Sequence, residues 1–108
     1  MKITNSQSSF GEHLRNLREK NGQTLKVVSE YLTIDTSLLA KIERNERHPT
    51  KQVIIQIAEY FKVDKKDLIN EYLSDQIAYK ILEEEADVTI LKVAEEKVKY
   101  FKNKNNGK

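Results

Sequence analysis

Apolar residues recur at helical spacing along most of the chain, in short segments separated by polar turns. The clearest segment runs from Thr24 to Arg44, where one apolar stripe precedes a tight turn and a second stripe follows it. The stripe residues are Leu25, Val28 and Leu32 before the turn, Ile34 within it, and Leu39 and Ile42 after it. This spacing predicts two short amphipathic helices that pack against each other across the turn.

Three more helices are predicted around this pair. A capping-box spacing at Ser9 and Glu12 begins the first helix, and the Asn21-Gly22 pair, which tolerates positive φ, ends it. The N-caps predicted for the second to fifth helices are Thr24, Asp35, Thr50 and Asp64. Short loops between these helices indicate one compact all-α domain.

The predicted architecture has four parts. A flexible arm occupies residues 1–8, a five-helix domain 9–73, a helical extension 74–103 and a disordered tail 104–108. The extension contains an amphipathic helix over 88–102. With only three glycines and one proline among 108 residues, the composition favours helices throughout.

The composition also excludes several classes of site. Because there is no cysteine, the chain has no disulfides, thiolate metal sites or cysteine nucleophiles. His13 and His48 lack the spacing of metal ligands, and no phosphate-cradling glycine motif occurs. We therefore expect no enzyme activity, no metal and no cofactor. No apolar run is long enough to span a bilayer and the polar start lacks a signal-peptide core, so we expect a cytoplasmic protein without membrane contact.

The polar side of the third helix suggests a function. It carries Thr36, Ser37, Lys41 and Arg44. Between Lys41 and Lys51, four basic residues stand against two acidic ones, which equals the net charge of +2 of the whole chain. This layout is typical of a helix-turn-helix whose second helix enters the DNA major groove.

Residues 10–73 resemble the lambda-repressor-like, Xre-type helix-turn-helix domain of bacterial and phage regulators. The resemblance rests on FGEHLRNLREKNG, on TL, SEYL and IDTSLLAKIERN in succession, on the HP dipeptide and on IIQIAEYFKV. It implies a five-helix fold that binds double-stranded DNA, usually as a homodimer on a palindromic operator, without catalysis. We accordingly predict a sequence-specific transcriptional regulator, acting as a repressor.

The resemblance also implies roles for individual residues. Thr36, Ser37 and Lys41 would face base edges, where hydroxyls donate or accept and lysine donates to guanine. The predicted contacts to the sugar-phosphate backbone are Thr24, Arg44, Asn45, Arg47 and Lys51. Arg18 and Glu43 would pair and orient the recognition helix. The competing interpretation is that the hydroxyls only cap a solvated helix and that the charges only solvate a loop.

Three positions depart from the family pattern. The family favours glutamine where this chain has Leu25, alanine where it has Ser29, and glycine in the turn where it has Thr33. The first departure removes or replaces a phosphate contact. The third places a non-glycine residue in a left-handed turn, at a cost of about 1 kcal/mol.

The extension is predicted to form a twofold dimer interface, because operator half-sites require paired recognition helices. Its residues would be Ile90, Leu91, Ala94, Val98 and Phe101. The alternative is that this helix packs on its own domain. Other functions that use the same fold are a protein-interaction adaptor, an antitoxin and a controller of a restriction–modification locus. A single-stranded nucleic-acid binder is disfavoured because interleaved aromatic residues are lacking.

Overall fold

The computed structural model describes residues 8–106, which form six α-helices and no strand. The helices are α1 (Phe10–Lys20), α2 (Leu25–Leu32), α3 (Thr36–Glu43), α4 (Lys51–Phe61), α5 (Lys65–Glu83) and α6 (Ile90–Asn106). The predicted all-α class, a helix-turn-helix domain with a helical extension, is confirmed. The chain divides into two compact units between Gln76 and Ile77. Within the described residues, no helix combines the length and apolar character needed to cross a membrane.

Helix N-termini begin at the capping residues that the sequence indicated. The Ser9 hydroxyl accepts the Glu12 N–H at 3.2 Å, and the Glu12 carboxylate accepts the Ser9 N–H at 2.9 Å, which completes the capping box of α1. The Thr24 hydroxyl accepts the Val27 N–H at 3.1 Å, and the Thr50 hydroxyl accepts the Val53 N–H at the same distance. Asp35 occupies the N-cap of α3, but its side chain makes no capping hydrogen bond.

The turn between α2 and α3 is closed without glycine. Thr33 adopts the left-handed conformation with φ of 60°, and the Ile34 N–H donates to the Ser29 carbonyl at 3.1 Å. The Ile34 side chain packs against the core of the first unit. The turn thus redirects the chain, and Ile34 covers the junction between α2 and α3.

The core of the first unit draws on all of its helices. Its buried apolar members are Phe10, Leu14, Val28, Leu32, Leu39, Ile42, Ile54, Ile57, Ala58 and Leu68. Four of these positions, Val28, Leu32, Leu39 and Ile42, lie on the two stripes that the 3.6-residue period identified. Because α1 and α2 both pack against α3, the core fixes the helix that carries the candidate site.

Helix α5 is longer than the domain boundary predicted after Leu73 implies. Asp64 Oδ1 begins it by accepting the Lys66 N–H at 2.8 Å, and the helix then continues to Glu83. Ser74 does not interrupt it, since the Ser74 hydroxyl donates to the carbonyl four residues earlier at 2.6 Å. Neither glycine nor proline occurs between residues 65 and 83, so the predicted boundary falls within α5.

The second unit contains the end of α5, a turn and α6. Glu85 takes a positive φ of 52°, and the Ala86 N–H returns to the Ile81 carbonyl at 2.9 Å. Helix α6 continues to Asn106 and so includes residues 104–106 of the tail that was predicted to be disordered over 104–108. Asparagine and lysine do not break a helix, and Lys104 lies in the last turn, where the helix dipole favours a cation. Residues 107–108 and all but the last residue of the predicted arm lie outside the described range.

Candidate nucleic-acid interface

Helix α3 has a buried side and an exposed side. Leu39 is fully buried and Ile42 is 2% exposed. Thr36, Ser37 and Lys41, the predicted base-contact residues, are all exposed. The first two start the helix and the lysine follows one turn later. The three side chains can therefore reach one ligand outside the molecule.

A buried ion pair connects α3 to α1. The Arg18 guanidinium donates to Glu43 through Nε at 2.7 Å and through the terminal nitrogen at 3.0 Å. It also donates to the Gln23 carbonyl at 3.0 Å, and Glu43 is only 7% exposed. The hydrogen bond to Glu43 raises the pKa of Arg18. This fork geometry fixes the end of α3 and stops it from rotating about its axis.

The same end of α3 touches the start of α1 at Gly11. A Cβ at Gly11 would lie 2.5 Å from the Glu43 carbonyl oxygen and 2.7 Å from Asn45 Oδ1. Asn45, with φ of 63°, accepts the Gly11 N–H at 3.1 Å and donates to the Ser9 hydroxyl at 2.8 Å. The Asn45 side chain therefore joins two elements of the protein, and its predicted contact with the DNA backbone stays a prediction.

Two hydroxyl groups lie at the N-termini of α2 and α3. Thr24 accepts the Val27 N–H, so its own proton stays available for an anion. Thr36 Oγ1 lies 2.9 Å from Ser29 Oγ, which connects the start of α3 to the buried side of α2. Ser29 thus contacts a candidate base-reading residue.

The cationic residues differ in how they are held. Arg44 donates a bidentate pair of hydrogen bonds to the Glu46 carboxylate at 2.9 and 3.0 Å. This hydrogen bonding lowers the pKa of the Glu46 carboxyl. Lys41, Arg47 and Lys51 are exposed, and none has a salt-bridge partner among residues 8–106. Three of the four cations are thus open to an anionic ligand, and Arg44 must first exchange its carboxylate.

Residues 11–74 match the protein family described as helix-turn-helix domain. The match spans more than half of the chain and contains α2 to α4, with the exposed side of α3, and all of α1 except Phe10. The chain belongs to this helix-turn-helix family. The family indicates DNA as the partner, since the second helix of the motif, which is α3 in this chain, is the element that reads a groove. A search of curated proteins found no relative that matches this chain.

Outside α3, the helix-turn-helix domain carries interactions that the sequence did not reveal. His48 Nδ1 lies 2.9 Å from the Tyr72 hydroxyl, which ties the loop before α4 to α5. No cluster of three or more His, Asp or Glu side chains suitable for a metal occurs in the part of the chain that the structure describes. The roles of Ser29 and Glu46 also escaped sequence reasoning. Only the two-residue separation of Arg44 and Glu46 could have suggested their pairing.

Proposed function

We propose that this helix-turn-helix protein is a lambda-repressor-like, Xre-type transcriptional regulator that binds double-stranded DNA sequence-specifically. The observation that carries the proposal is the exposed polar side of α3, held from behind by buried Leu39 and Ile42 and by the Arg18–Glu43 pair. A rigidly held helix with short polar side chains suits the major groove, which is wide enough for an α-helix.

The proposed contacts fall into two classes. Thr36, Ser37 and Lys41 meet base edges and determine sequence preference. Backbone phosphates meet the residues that flank α3, namely Thr24, Arg44, Asn45, Arg47 and Lys51. The positive charges of Arg44, Arg47 and Lys51 supply affinity that weakens as salt increases, because phosphate binding releases counterions.

We also propose that the protein acts as a homodimer through α6. Leu91, Ala94, Val98 and Phe101 repeat at alternating spacings of three and four residues, which is the pattern of a two-helix seam. The three larger side chains are 46%, 51% and 54% exposed in the single chain. A second copy would cover this stripe and supply the second recognition helix that a palindromic operator requires.

Repression follows from the proposed geometry. Two protomers on one operator would exclude other proteins from the same stretch of duplex. By its resemblance to bacterial and phage regulators the protein would act in the cytoplasm, where their DNA lies. The proposal includes no catalytic step and no cofactor.

A protein-interaction adaptor is the second candidate, and the exposed apolar stripe of α6 favours it. Such an adaptor would keep the fold and bind another regulator through its C-terminal helices. It would show no affinity for duplex DNA. An antitoxin or a restriction–modification controller would bind DNA through the same side of α3, and genomic neighbours would distinguish these roles.

The experiment that tests the proposal is selection of random duplexes by the purified full chain, followed by sequencing. We expect a motif of two inverted half-sites about one helical turn apart, which corresponds to 10–10.5 base pairs. Lys41→Ala should select a motif with weaker preference at one base pair, by about 1–3 kcal/mol if the lysine contacts guanine through both acceptors.

The control variants separate DNA binding from dimerisation. Val98→Glu should leave the half-site motif unchanged and abolish the fixed spacing, because the charge disrupts only the α6 seam. Lys102→Ala, which lowers the net charge of α6 by the same amount without entering the seam, should select the same motif as the wild type. A chain that enriches no sequence would overturn the regulator proposal, and a lone half-site from the wild type would overturn the dimer.

A further inference from the structure

The hydroxyls of Ser29 and Thr36 form a relay from α2 to α3 whose proton positions can be assigned. Ser29 Oγ lies 3.0 Å from the Lys26 carbonyl oxygen and 2.9 Å from Thr36 Oγ1. A carbonyl oxygen only accepts hydrogen bonds, and a hydroxyl has one proton to donate. Ser29 therefore donates to Lys26, and Thr36 must be the donor in the bond to Ser29.

The reverse assignment is unfavourable. If Ser29 donated to Thr36, its oxygen and the Lys26 carbonyl oxygen would face each other as two acceptors at 3.0 Å. Ser29 is 1% exposed, so water cannot easily supply the missing proton. The relay thus runs from Thr36 to Ser29 to the α2 backbone.

This direction fixes what Thr36 can offer to a ligand. Its single proton points to Ser29, and only its two lone pairs are available at the exposed start of α3. On the proposed function, we propose that Thr36 acts toward DNA only as an acceptor and selects a base that carries an amino group in the major groove. Adenine N6 and cytosine N4 are those donors, whereas guanine and thymine present acceptors there.

Phosphate is likewise excluded as the partner of the Thr36 hydroxyl. Phosphate oxygens accept hydrogen bonds, and a hydroxyl without a free proton cannot donate to them. Ser37 provides the contrast within the same helix turn. It is exposed, and its hydroxyl makes no hydrogen bond to the rest of residues 8–106, so it can read either a donor or an acceptor.

The first test compares duplexes selected by the wild-type chain and by Thr36→Val, which keeps the shape and removes the hydroxyl. We expect one position with adenine or cytosine in the wild-type motif that loses its preference in the variant. At that position, an analogue base without the amino group should weaken wild-type binding about three- to tenfold, as loss of one hydrogen bond does. Binding of Thr36→Val should be unaffected by the analogue.

The second test makes the Thr36 proton available to DNA. Ser29→Ala, which introduces the residue that the family favours, removes the acceptor for the Thr36 proton and lets Thr36 donate. We expect the same position to accept guanine or thymine as well. Ser37→Ala, the matched control, should change the preference at a different position and leave the Thr36 position intact.

The outcomes distinguish this inference from the proposed function. If the wild-type chain enriches no duplex, both fail. If it selects a motif but the position sensitive to Thr36→Val holds guanine or thymine, only the inference fails. A motif identical for wild type and Thr36→Val would likewise overturn the inference while leaving the regulator proposal standing.

Discussion

At the scale of single residues, His13 and Glu71 form a titratable pair between α1 and α5. The His13 Nδ1 atom lies 2.6 Å from Glu71 Oε1, and Glu71 is only 2% exposed. The second oxygen, Glu71 Oε2, has no hydrogen-bond partner among the described residues. The hydrogen bond to Glu71 raises the pKa of His13, against burial, which lowers it. A protonated histidine therefore compensates a buried carboxylate that has little other support.

This pair predicts how stability depends on pH. Because the folded-state pKa of His13 is raised, its contribution is fully present below the unfolded value of about 6.5 and is lost as pH rises through the folded value. We expect the free energy of unfolding, measured by urea denaturation, to fall over this range. Loss of the charged hydrogen bond should account for about 1–3 kcal/mol.

Histidine variants assign the effect, because the chain has only two histidines. His13→Gln should remove the pH dependence above about pH 6.5. His48→Gln, the matched control, should retain it. An equal slope in His13→Gln and wild type would show that another group is responsible.

At the scale of elements, α3 is the helix on which the other contacts converge. Its apolar side lies in the core, the Arg18–Glu43 pair holds its end, and Gly11 lets α1 approach its last carbonyls. Each fixes a different degree of freedom, namely depth, rotation and tilt. This is the preorganisation that a reading helix requires, since a flexible helix would lose conformational entropy on binding.

The Arg44–Glu46 pair sits at the end of this helix, and on the proposed function its carboxylate competes with DNA for Arg44. The Glu46 carboxylate accepts the Arg44 N–H groups that would otherwise donate to a phosphate. We expect Glu46→Gln to raise the affinity for a random-sequence duplex about two- to fivefold, the range of an exposed ion pair. Fluorescence anisotropy at low salt measures this change.

Glu84→Gln is the matched control for that prediction. It makes the same change of charge in the exposed Lys80–Glu84 pair, outside the residues that match the helix-turn-helix family. An equal rise in both variants would mean that net charge alone is responsible. No rise in either variant would mean that Arg44 does not contact the duplex.

The sequence predicted the helices of the first unit well, because their caps and apolar stripes are local signals. Thr24 and Thr50 cap where expected, and Leu39 and Ile42 are buried. The position of the boundary in α5 and the end of α6 were less predictable, since no glycine or proline marks either place.

The side-chain network was predicted only in part. Resemblance indicated the Arg18–Glu43 pair, and the structure brings those two residues together. The contacts of Ser29 with Thr36 and of Glu71 with His13 join residues distant in the chain or across a turn. Such contacts depend on how the helices pack, which no local pattern encodes.

At the scale of the whole molecule, the protein combines two units with different surfaces. The first has a closed core and carries the exposed side of α3, whereas α6 in the second keeps large apolar side chains such as Val93 and Phe101 54% exposed. Exposed apolar surface of this kind marks interaction sites. On the proposed function, the first unit binds DNA and the second binds a second copy of the chain.

On the proposed function, the exposed side of α3 and its flanking cations bind duplex DNA. The measurement that decides this is the affinity of the full chain for a random-sequence duplex at several salt concentrations. Contacts from Arg44, Arg47 and Lys51 to one phosphate each predict a log–log slope of about −2.7 for a protomer and about −5.4 for a dimer. Affinity that is absent at low salt, or that does not change with salt, would contradict the account.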